Sequence, residues 1–280
     1  MSTAPLPPEA LAIRVGVNDP SAALESFDAL GADARRRIVD MLPGGWAFDG
    51  KRVLDFGCGP GKVLRHFLDE AGRAQFEGCD IHPPSVEWVE RHLNPPVRAF
   101  VNEEAPPLAR SDGSYDLIWA MSVFTHLAER SLDWLLELHR VLDGGGLLIA
   151  TTLGRAMWES REDAPWDEDG IGTAVVGHGE PWDAGGPVTY ISRWWLDDHW
   201  GRLFEVVDVR EGEAPGEHTL VLLRKRSVDI GRGELEAARD EREVGALRTQ
   251  IELLRRDVDR LREGAGERQG GIRRLLGRRR

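Results

Sequence analysis

The chain has 280 residues, a formal net charge of −12 and two cysteines. No apolar run approaches the ~20 residues needed to cross a bilayer, and the first eight residues lack the charged and apolar regions of a secretory signal. The cysteines show no metal-ligand spacing, so we expect neither a disulfide nor a metal site. The sequence therefore predicts a cytoplasmic protein of one domain with an appendage.

Charge is distributed unevenly along the chain. Residues 232–280 contain 14 Arg and 10 Asp plus Glu, a balance of +4, and so residues 1–231 carry −16. A body this acidic is a poor match for a nucleic-acid backbone. We expect a small or neutral substrate and no nucleic-acid partner.

The segment from Val53 to Gly61 is the most informative of the chain. An apolar run containing Asp55 leads into glycines at alternate positions, Gly57, Gly59 and Gly61. Apolar residues at helical spacing follow from Lys62, so the pattern predicts a strand, a glycine turn and a helix. Such a turn lets a ligand approach the backbone closely. A dinucleotide fingerprint would need glycine at position 62, where Lys62 stands.

The pattern D-x-G-x-G-x-G resembles the first motif of class I S-adenosylmethionine-dependent methyltransferases. Later blocks, F-V-x-N, P-P-L, Y-D-L-I-x-A-x-S-V-F-T-H-L and E-L-H-R-V-L-x-x-G-G-L-L, resemble one subgroup associated with carbohydrate or cell-surface biosynthesis. The resemblance covers roughly residues 11–226 and is strongest from Lys51 to Thr152. It implies an α/β fold, a Rossmann-like seven-stranded mostly parallel sheet with helices on both faces, whose last two strands form an antiparallel pair at 204–210 and 219–224.

The same resemblance implies S-adenosyl-L-methionine as the cofactor. An acid at the tip of the second strand, here Asp80, accepts hydrogen bonds from ribose hydroxyls. A cap on the helix that begins near Pro84 is the structural alternative for this side chain. The implied cofactor-binding residues are Asp55, Phe56, Gly57, Cys58, Gly59, Gly61, Asp80, Ile81, Asn102, Glu103 and Met121.

Residues 153–202 contain six of the ten tryptophans and eight glycines. Aromatic side chains on an insertion at the carboxyl edge of a parallel sheet are typical of a substrate site, although they also serve to cover the core. We expect Trp194, Trp195 and Trp200 on a packing helix, and Trp166 and Trp182 nearer the ligand.

Two histidines are candidates for the general base that a hydroxyl acceptor requires. His126 follows the fourth strand, and His178 lies on the insertion. Each has a structural alternative, since His126 can pack below the cofactor and His178 can be an ordinary loop residue.

The C-terminal region predicts a coiled coil at residues 233–263. Apolar residues recur at spacings of three and four, with β-branched residues at a and Leu at d, which favours a parallel dimer. Acidic or polar g positions would face arginines at the partner's e positions, and a helix lying on the catalytic domain is the alternative. After a glycine break at 264–271, five arginines end a basic tail, residues 264–280, that would contact an anionic membrane surface or stay solvated.

The predicted organisation is an N-terminal segment and lid at 1–50, a methyltransferase domain at 51–226, the coiled coil and the tail. The predicted function is methyl transfer to a small-molecule or sugar-type hydroxyl acceptor. A non-catalytic scaffold that recruits a partner through its coiled coil is the alternative, and a nicotinamide-dependent oxidoreductase is disfavoured by Lys62. The acceptor itself, and the atom type that is methylated, are left open by the sequence.

Overall fold

The computed structural model describes residues 4–16, 20–162, 164–179, 186–212 and 217–277, with side chains to residue 263. Nine strands occur in these ranges: β1 Arg52–Phe56, β2 Gln75–Asp80, β3 Val97–Val101, β4 Tyr115–Ala120, β5 Leu142–Thr152, β6 Thr173–Val176, β7 Val188–Ile191, β8 Phe204–Arg210 and β9 Thr219–Lys225. Seven of them form one sheet in the order β3-β2-β1-β4-β5-β9-β8.

The pairing within this sheet is mostly parallel. Strands β1 to β5 are parallel to their neighbours, whereas β9 is antiparallel to both β5 and β8. The predicted seven-stranded sheet with an antiparallel last pair is therefore confirmed. The second sheet, a hairpin of β6 and β7, was not predicted and lies within the aromatic insertion.

Helices cover both faces of the large sheet. They are α1 Glu9–Ile13, α2 Ala23–Met41, α3 Leu68–Ala71, α4 Pro83–His92, α5 Ser131–Val141, α6 Arg155–Arg161, α7 Arg193–Trp195, α8 Gly201–Leu203, α9 Arg232–Glu236 and α10 Glu243–Gly277. Because side chains alternate along a strand, Leu54 belongs to the core on the α5 side and Val53 to the core on the α2 side. Both residues are fully buried.

The segment after the glycine turn differs from the predicted helix. A 3-10 turn at Leu64–His66 is followed by the single turn of α3. The side chains of Arg65 and His66 contact Asp28 of α2, and a Cβ added to Gly31 of α2 would lie 2.1 Å from the carbonyl oxygen of Lys62. Close packing against α2 thus shapes this segment in place of a regular helix.

The tryptophans of the insertion are divided by burial and packing. Trp194, Trp195 and Trp200 lie on α7 and the π-helical turn Leu196–Trp200 that follows, and all three are buried, as predicted. Trp166 packs edge-on against Trp158 in a separate apolar cluster. Trp182 lies outside the described residues.

One side of the C-terminal helix α10 docks on the insertion. Ala246 and Leu253 are buried there, and the Gln250 side chain bonds to both backbone groups of Val175 in β6. At its start, Glu243 accepts a hydrogen bond of 2.6 Å from His199, and Asp257 accepts from the backbone N–H groups of Gly177 and His178. The alternative of a helix lying on the catalytic domain is therefore realised on this side.

The other side of α10 leaves the predicted coiled-coil seam open. Its six apolar residues are 38–62% exposed, namely Val244, Leu247, Ile251, Leu254, Val258 and Leu261. The predicted ion pairs between g and e positions are wrong, because the g side chains Glu243, Gln250 and Asp257 already bond within the chain.

The distal part of α10 also departs from the sequence prediction. The helix continues to Gly277 without the break predicted at 264–271, and the last three residues of the basic tail lie outside the described part. Among the described residues, no helix is long and apolar enough to cross a membrane.

Candidate cofactor and acceptor site

The glycine turn at the carboxyl end of β1 needs its three glycines for backbone geometry. Gly57, Gly59 and Gly61 have φ values of 79°, 52° and 81°, a region that side chains with a Cβ rarely adopt. The turn is tied to β2, because the N–H groups of Gly57 and Cys58 both donate to the carbonyl of Cys79, at 2.8 and 2.9 Å. This fixes the backbone at the position where a ligand would approach it.

Asp80 joins the tip of β2 to this turn. Its Oδ2 accepts from the Gly59 N–H at 2.8 Å and its Oδ1 from the His82 N–H at 2.9 Å. Burial raises the pKa of Asp80, while these two N–H groups oppose the rise. The N-cap residue of α4 is His82, without a side-chain cap bond, so capping does not explain Asp80. A carboxylate has about four lone-pair sites, and two remain to accept from ribose hydroxyls.

Asn102 follows β3 beside Asp80. Its backbone N–H donates to the Asp80 carbonyl at 3.2 Å, and its side-chain amide donates to the Glu103 carbonyl. The side-chain Oδ1 is buried and has no partner among the described residues. A buried acceptor without a donor is costly, and an adenine amino group would satisfy it. Ile81 is 36% exposed at the adjoining strand tip, as expected of a residue that packs on a ligand.

Asp55, which is buried, and Lys62, which is half-buried, lie near the turn and influence each other's pKa. Burial raises the pKa of Asp55 to about 7, and the charge of Asp80 adds to this rise, whereas Trp119 and Lys62 oppose it. Burial lowers the pKa of Lys62 to about 8, against the effect of Asp55. One oxygen of Asp55 has no hydrogen-bond partner in the described chain. This oxygen would accept from a cationic ligand group such as the cofactor's amine.

The end of the N-terminal helix lies directly on the glycine turn. A Cβ added to Gly59 would lie 2.7 Å from Cγ1 of Val15, and the carbonyl of Val15 accepts from Lys62 Nζ at 2.7 Å. Arg14 is close enough to lower the pKa of Asp80. The predicted lid segment thus contacts the turn at Gly59 and the side chain of Lys62, and it lies close to Asp80.

The remaining predicted cofactor residues lie around the same strand ends. Phe56 and Cys58 are buried, Met121 packs at the edge of the core on the α2 side, and Glu103 is exposed. The structure therefore brings together the residues that the resemblance implied for the cofactor.

His126 lies after β4 and is held by the insertion. Its Nδ1 is 2.9 Å from the carbonyl oxygen of Pro187, an acceptor, so the neutral ring carries its proton on Nδ1. The Nε2 atom is then an acceptor. Burial lowers the pKa of His126, more than the Pro187 carbonyl raises it. This tautomer and this pKa both suit a general base near neutral pH.

His178 occupies a different environment. Its Nδ1 is 3.3 Å from Asp257 of α10, and its Nε2 is 3.3 Å from Glu129. Both ring nitrogens therefore face carboxylates, Asp257 on α10 and Glu129 in the turn before α5, and neither contact is with the glycine turn. The structure brings His126, but not His178, to the group of residues around β4 and β9.

His218 was missed by the sequence analysis. Its Nδ1 is 3.3 Å from Oγ of Ser122, the residue that follows β4. Burial, together with the smaller effects of Lys62, Arg161, His126 and Arg37, lowers the pKa of His218 to about 4. A signal was available: the antiparallel β9 begins at the carboxyl edge of the parallel strands, so the residue before it lies at the site edge.

Comparison with known proteins agrees with this geometry. Residues 53–146 match the family model described as "Methyltransferase domain". This segment is therefore similar to methyltransferase domains. It contains the glycine turn, Asp80, Asn102 and His126, and the cofactor of such domains is S-adenosylmethionine.

Two curated relatives are similar to part of the chain. The 2-methyl-6-phytyl-1,4-hydroquinone methyltransferase of Synechocystis sp. is 31% identical over 138 residues, 49% of this chain and 40% of the relative. The ubiquinone biosynthesis O-methyltransferase of Cereibacter sphaeroides is 33% identical over 128 residues, 45% of this chain and 49% of the relative. The chain thus spans less than half the length of either relative.

A solved structure shares the fold. The S-adenosylmethionine-dependent methyltransferase from Mesorhizobium loti superposes with a TM-score of 0.53 at 17% identity, over 71% of this chain and 100% of that one. The class I methyltransferase fold therefore extends beyond the segment that the family model matches.

Proposed function

We propose that the chain is an S-adenosylmethionine-dependent methyltransferase that acts on a small-molecule hydroxyl acceptor, with a sugar hydroxyl included in that class. The observation that carries the proposal is the glycine turn held by Asp80, with unpartnered buried acceptors on Asp55 and Asn102 on either side of it. These groups fit a ligand that has an amine at each end and a ribose between them.

The cofactor supplies an electrophilic methyl group on a sulfonium, and the chain supplies position and a proton acceptor. Asp80 and the turn would bind the nucleoside, and Asp55 the amino-acid end. His126 would accept the proton of the acceptor hydroxyl on Nε2, because Nδ1 is committed to Pro187. We assign this role to His126 in preference to His178, whose two nitrogens face carboxylates. The O-methyltransferase among the relatives supports a hydroxyl acceptor.

We also propose that the segment ending at Val15 closes over the bound cofactor. It contacts Gly59 and Lys62 directly, and a cover of this kind would exclude water from the site. The two buried free cysteines support a reducing location such as the cytoplasm. Contact of the basic tail with an anionic membrane surface stays a proposal that rests on sequence.

Two measurements test the catalytic proposal. Calorimetric titration with S-adenosylhomocysteine should show one site per chain, and a screen with labelled S-adenosylmethionine against phenols, quinols and sugar intermediates should find an acceptor. Failure to bind S-adenosylhomocysteine would contradict the proposal. Binding without transfer to any hydroxyl class would favour the scaffold alternative.

The exposed seam of α10 supports a second proposal, a homodimer. An a/d pattern with β-branched residues at a and Leu at d suits a helix pair, and all six residues are exposed in the single chain. Leu254→Asp should shift the sedimentation of the chain toward monomer, whereas Arg256→Asp, an exposed change on the same helix, should not. Identical sedimentation of wild type and Leu254→Asp would contradict the dimer.

A further inference from the structure

A group of cationic and imidazole side chains converges beyond β4 and β5. Thr152 of β5 pairs with Thr219 of β9, so His218 lies at the carboxyl end of β5, 3.3 Å from Ser122 after β4. Tyr190 donates to Glu162 at 3.1 Å, and Leu153 bridges to Tyr190, which ties the end of α6 to the same edge. Arg161, the last residue of α6, therefore lies at this edge too.

The charges at this edge are unequally compensated. Arg37 is 3.0 Å from Asp33 and 3.8 Å from Glu217, and Lys62 donates to the Val15 carbonyl. Arg161 is exposed and forms no ion pair with any residue of the described ranges. Burial is the main cause of the lowered pKa of the half-buried His218, and electrostatic interactions with Lys62, Arg161, His126 and Arg37 add to it. The edge therefore has a positive potential within a body of charge −16.

The opposite face of the same strands provides a contrast. A cavity of about 150 Å³ there is lined by side chains of both signs, including Arg155, Arg193, Glu159, Glu168 and Glu211. Thr152 and Thr219 line this cavity, whereas Thr151, whose hydroxyl accepts from the Ser122 N–H at 2.6 Å, faces the histidine side. Carboxylates thus accompany the arginines of this cavity, whereas Arg161 on the histidine side has no carboxylate partner among the described residues.

We propose that the methyl acceptor carries an anionic group, a carboxylate or a phosphate, and that Arg161 and His218 bind it at the carboxyl edge of β4 and β5. The proposal rests on the function proposed above and names its substrate class. It revises the neutral substrate expected from net charge, because a single uncompensated arginine at the site outweighs a distant acidic surface in moderate salt. Ser122 orients the ring of His218, and His126 stands beside it for the hydroxyl.

Anion binding here solves a physical problem of the chain. An acidic body repels an anionic acceptor, so a local cation is needed both to hold it and to place it against His126. A charged hydrogen bond contributes about 1.5–3 kcal/mol, which corresponds to about 10- to 100-fold in affinity. The ratio of the affinities for an anionic and a neutral ligand is therefore the quantity to measure.

The test uses three ring compounds of matched size on the full chain, with and without saturating S-adenosylhomocysteine. Benzoate and phenyl phosphate are the anionic probes, and benzamide is the neutral one. By calorimetry, wild type should bind at least one anion about 10-fold or more tighter than benzamide. The anion that binds more tightly identifies carboxylate or phosphate as the natural group.

Variants assign the preference to the edge. Arg161→Gln and His218→Asn should each reduce it by about 10-fold, whereas Arg155→Gln, on the same helix but facing the other cavity, should retain it. Equal binding of benzoate, phenyl phosphate and benzamide to wild type, or a preference that survives both Arg161→Gln and His218→Asn, would overturn the inference. Absence of S-adenosylhomocysteine binding would instead count against the proposed function, and the titrations without it would still decide the anion preference.

Discussion

The two ends of the candidate site differ in charge and in how the chain builds them. The cofactor end consists of Asp55, Asp80 and Asn102, whose side chains are acidic or neutral hydrogen-bond acceptors. They lie at or next to the ends of β1, β2 and β3. The end proposed for the methyl acceptor consists of the cation Arg161 and two imidazoles with lowered pKa, His126 and His218, from three widely separated segments. The site thus offers hydrogen-bond acceptors to the cationic cofactor at one end. At the other end of the same sheet edge it offers hydrogen-bond donors to the proposed anionic methyl acceptor.

This difference also appears in the effect of burial. At the cofactor end burial raises the pKa of Asp55 to about 7, and at the acceptor end it lowers the pKa of His218 to about 4. Both shifts favour the neutral form of the group. A bound ligand of opposite charge would favour the charged form again. The charged forms of both groups are unfavourable in the protein alone. We therefore expect ligands at either end to stabilise the site.

Gly59→Val should produce the largest effect and be confined to the cofactor end. A branched side chain at φ 52° is strained, and its Cβ would lie 2.7 Å from Val15. We expect loss of S-adenosylhomocysteine binding by more than about 1000-fold, or 4 kcal/mol. Gly144→Val is the matched control, because nothing lies near a Cβ added there. Wild-type affinity in folded Gly59→Val would show that the turn does not approach the ligand.

Asp80→Ala should weaken cofactor binding by about 2 to 4 kcal/mol, since it removes the acceptor for the ribose and for the Gly59 N–H. Calorimetry with S-adenosylhomocysteine measures this loss. Glu87→Ala, which removes an exposed acid on α4 that pairs with Arg91, should change affinity much less. If folded Asp80→Ala binds as wild type does, Asp80 is not part of the cofactor site.

His126→Asn should separate the two ends, with unchanged S-adenosylhomocysteine affinity and methyl transfer lowered about 100-fold. The neutral imidazole is the active form, and burial lowers its pKa. The acid limb of the wild-type kcat/KM profile should therefore lie below pH 6.5, and activity should be flat just above it. His178→Asn should leave this profile unchanged. A limb that persists in His126→Asn would identify another base.

Asp55→Asn should stabilise the protein at higher pH. The pKa of this carboxyl is about 7 in the folded chain and about 4 when unfolded, so its contribution falls as pH rises from about 4 to about 7. The variant should gain up to about 4 kcal/mol at pH 8 and little at pH 4 in urea unfolding.

Asp116→Asn serves as the control of opposite sign. Burial would raise the pKa of Asp116, but the hydrogen bonds from Arg52 outweigh it and lower the pKa. This carboxylate stabilises the fold above its unfolded pKa, and the contribution is lost as pH falls through the lower folded value. Asp116→Asn should therefore lose stability at neutral pH. Parallel pH curves for wild type and Asp55→Asn would contradict the raised pKa of Asp55.

The sequence by itself determined the cofactor end. Alternating glycines, an acid at a strand tip and apolar strand periodicity are local patterns, and parallel strands bring their carboxyl ends to one edge whatever the rest of the chain does. The predicted sheet and its antiparallel last pair followed from the family resemblance that these patterns carry, and the structure confirms both. The a/d seam of α10 could also be predicted from the sequence, because it depends on helical spacing alone.

Only the tertiary structure decided the acceptor end and the use of the C-terminal helix. Which histidine faces the site depends on contacts between residues far apart in sequence, such as His126 with Pro187 and His178 with Asp257. The side chains at the g positions of α10 fit a coiled-coil pattern. In the structure they instead have partners within the chain, Glu243 with His199 and Gln250 with β6. A charged side chain gains more from a buried partner than from an exposed one, and burial is set by packing, which no local pattern encodes.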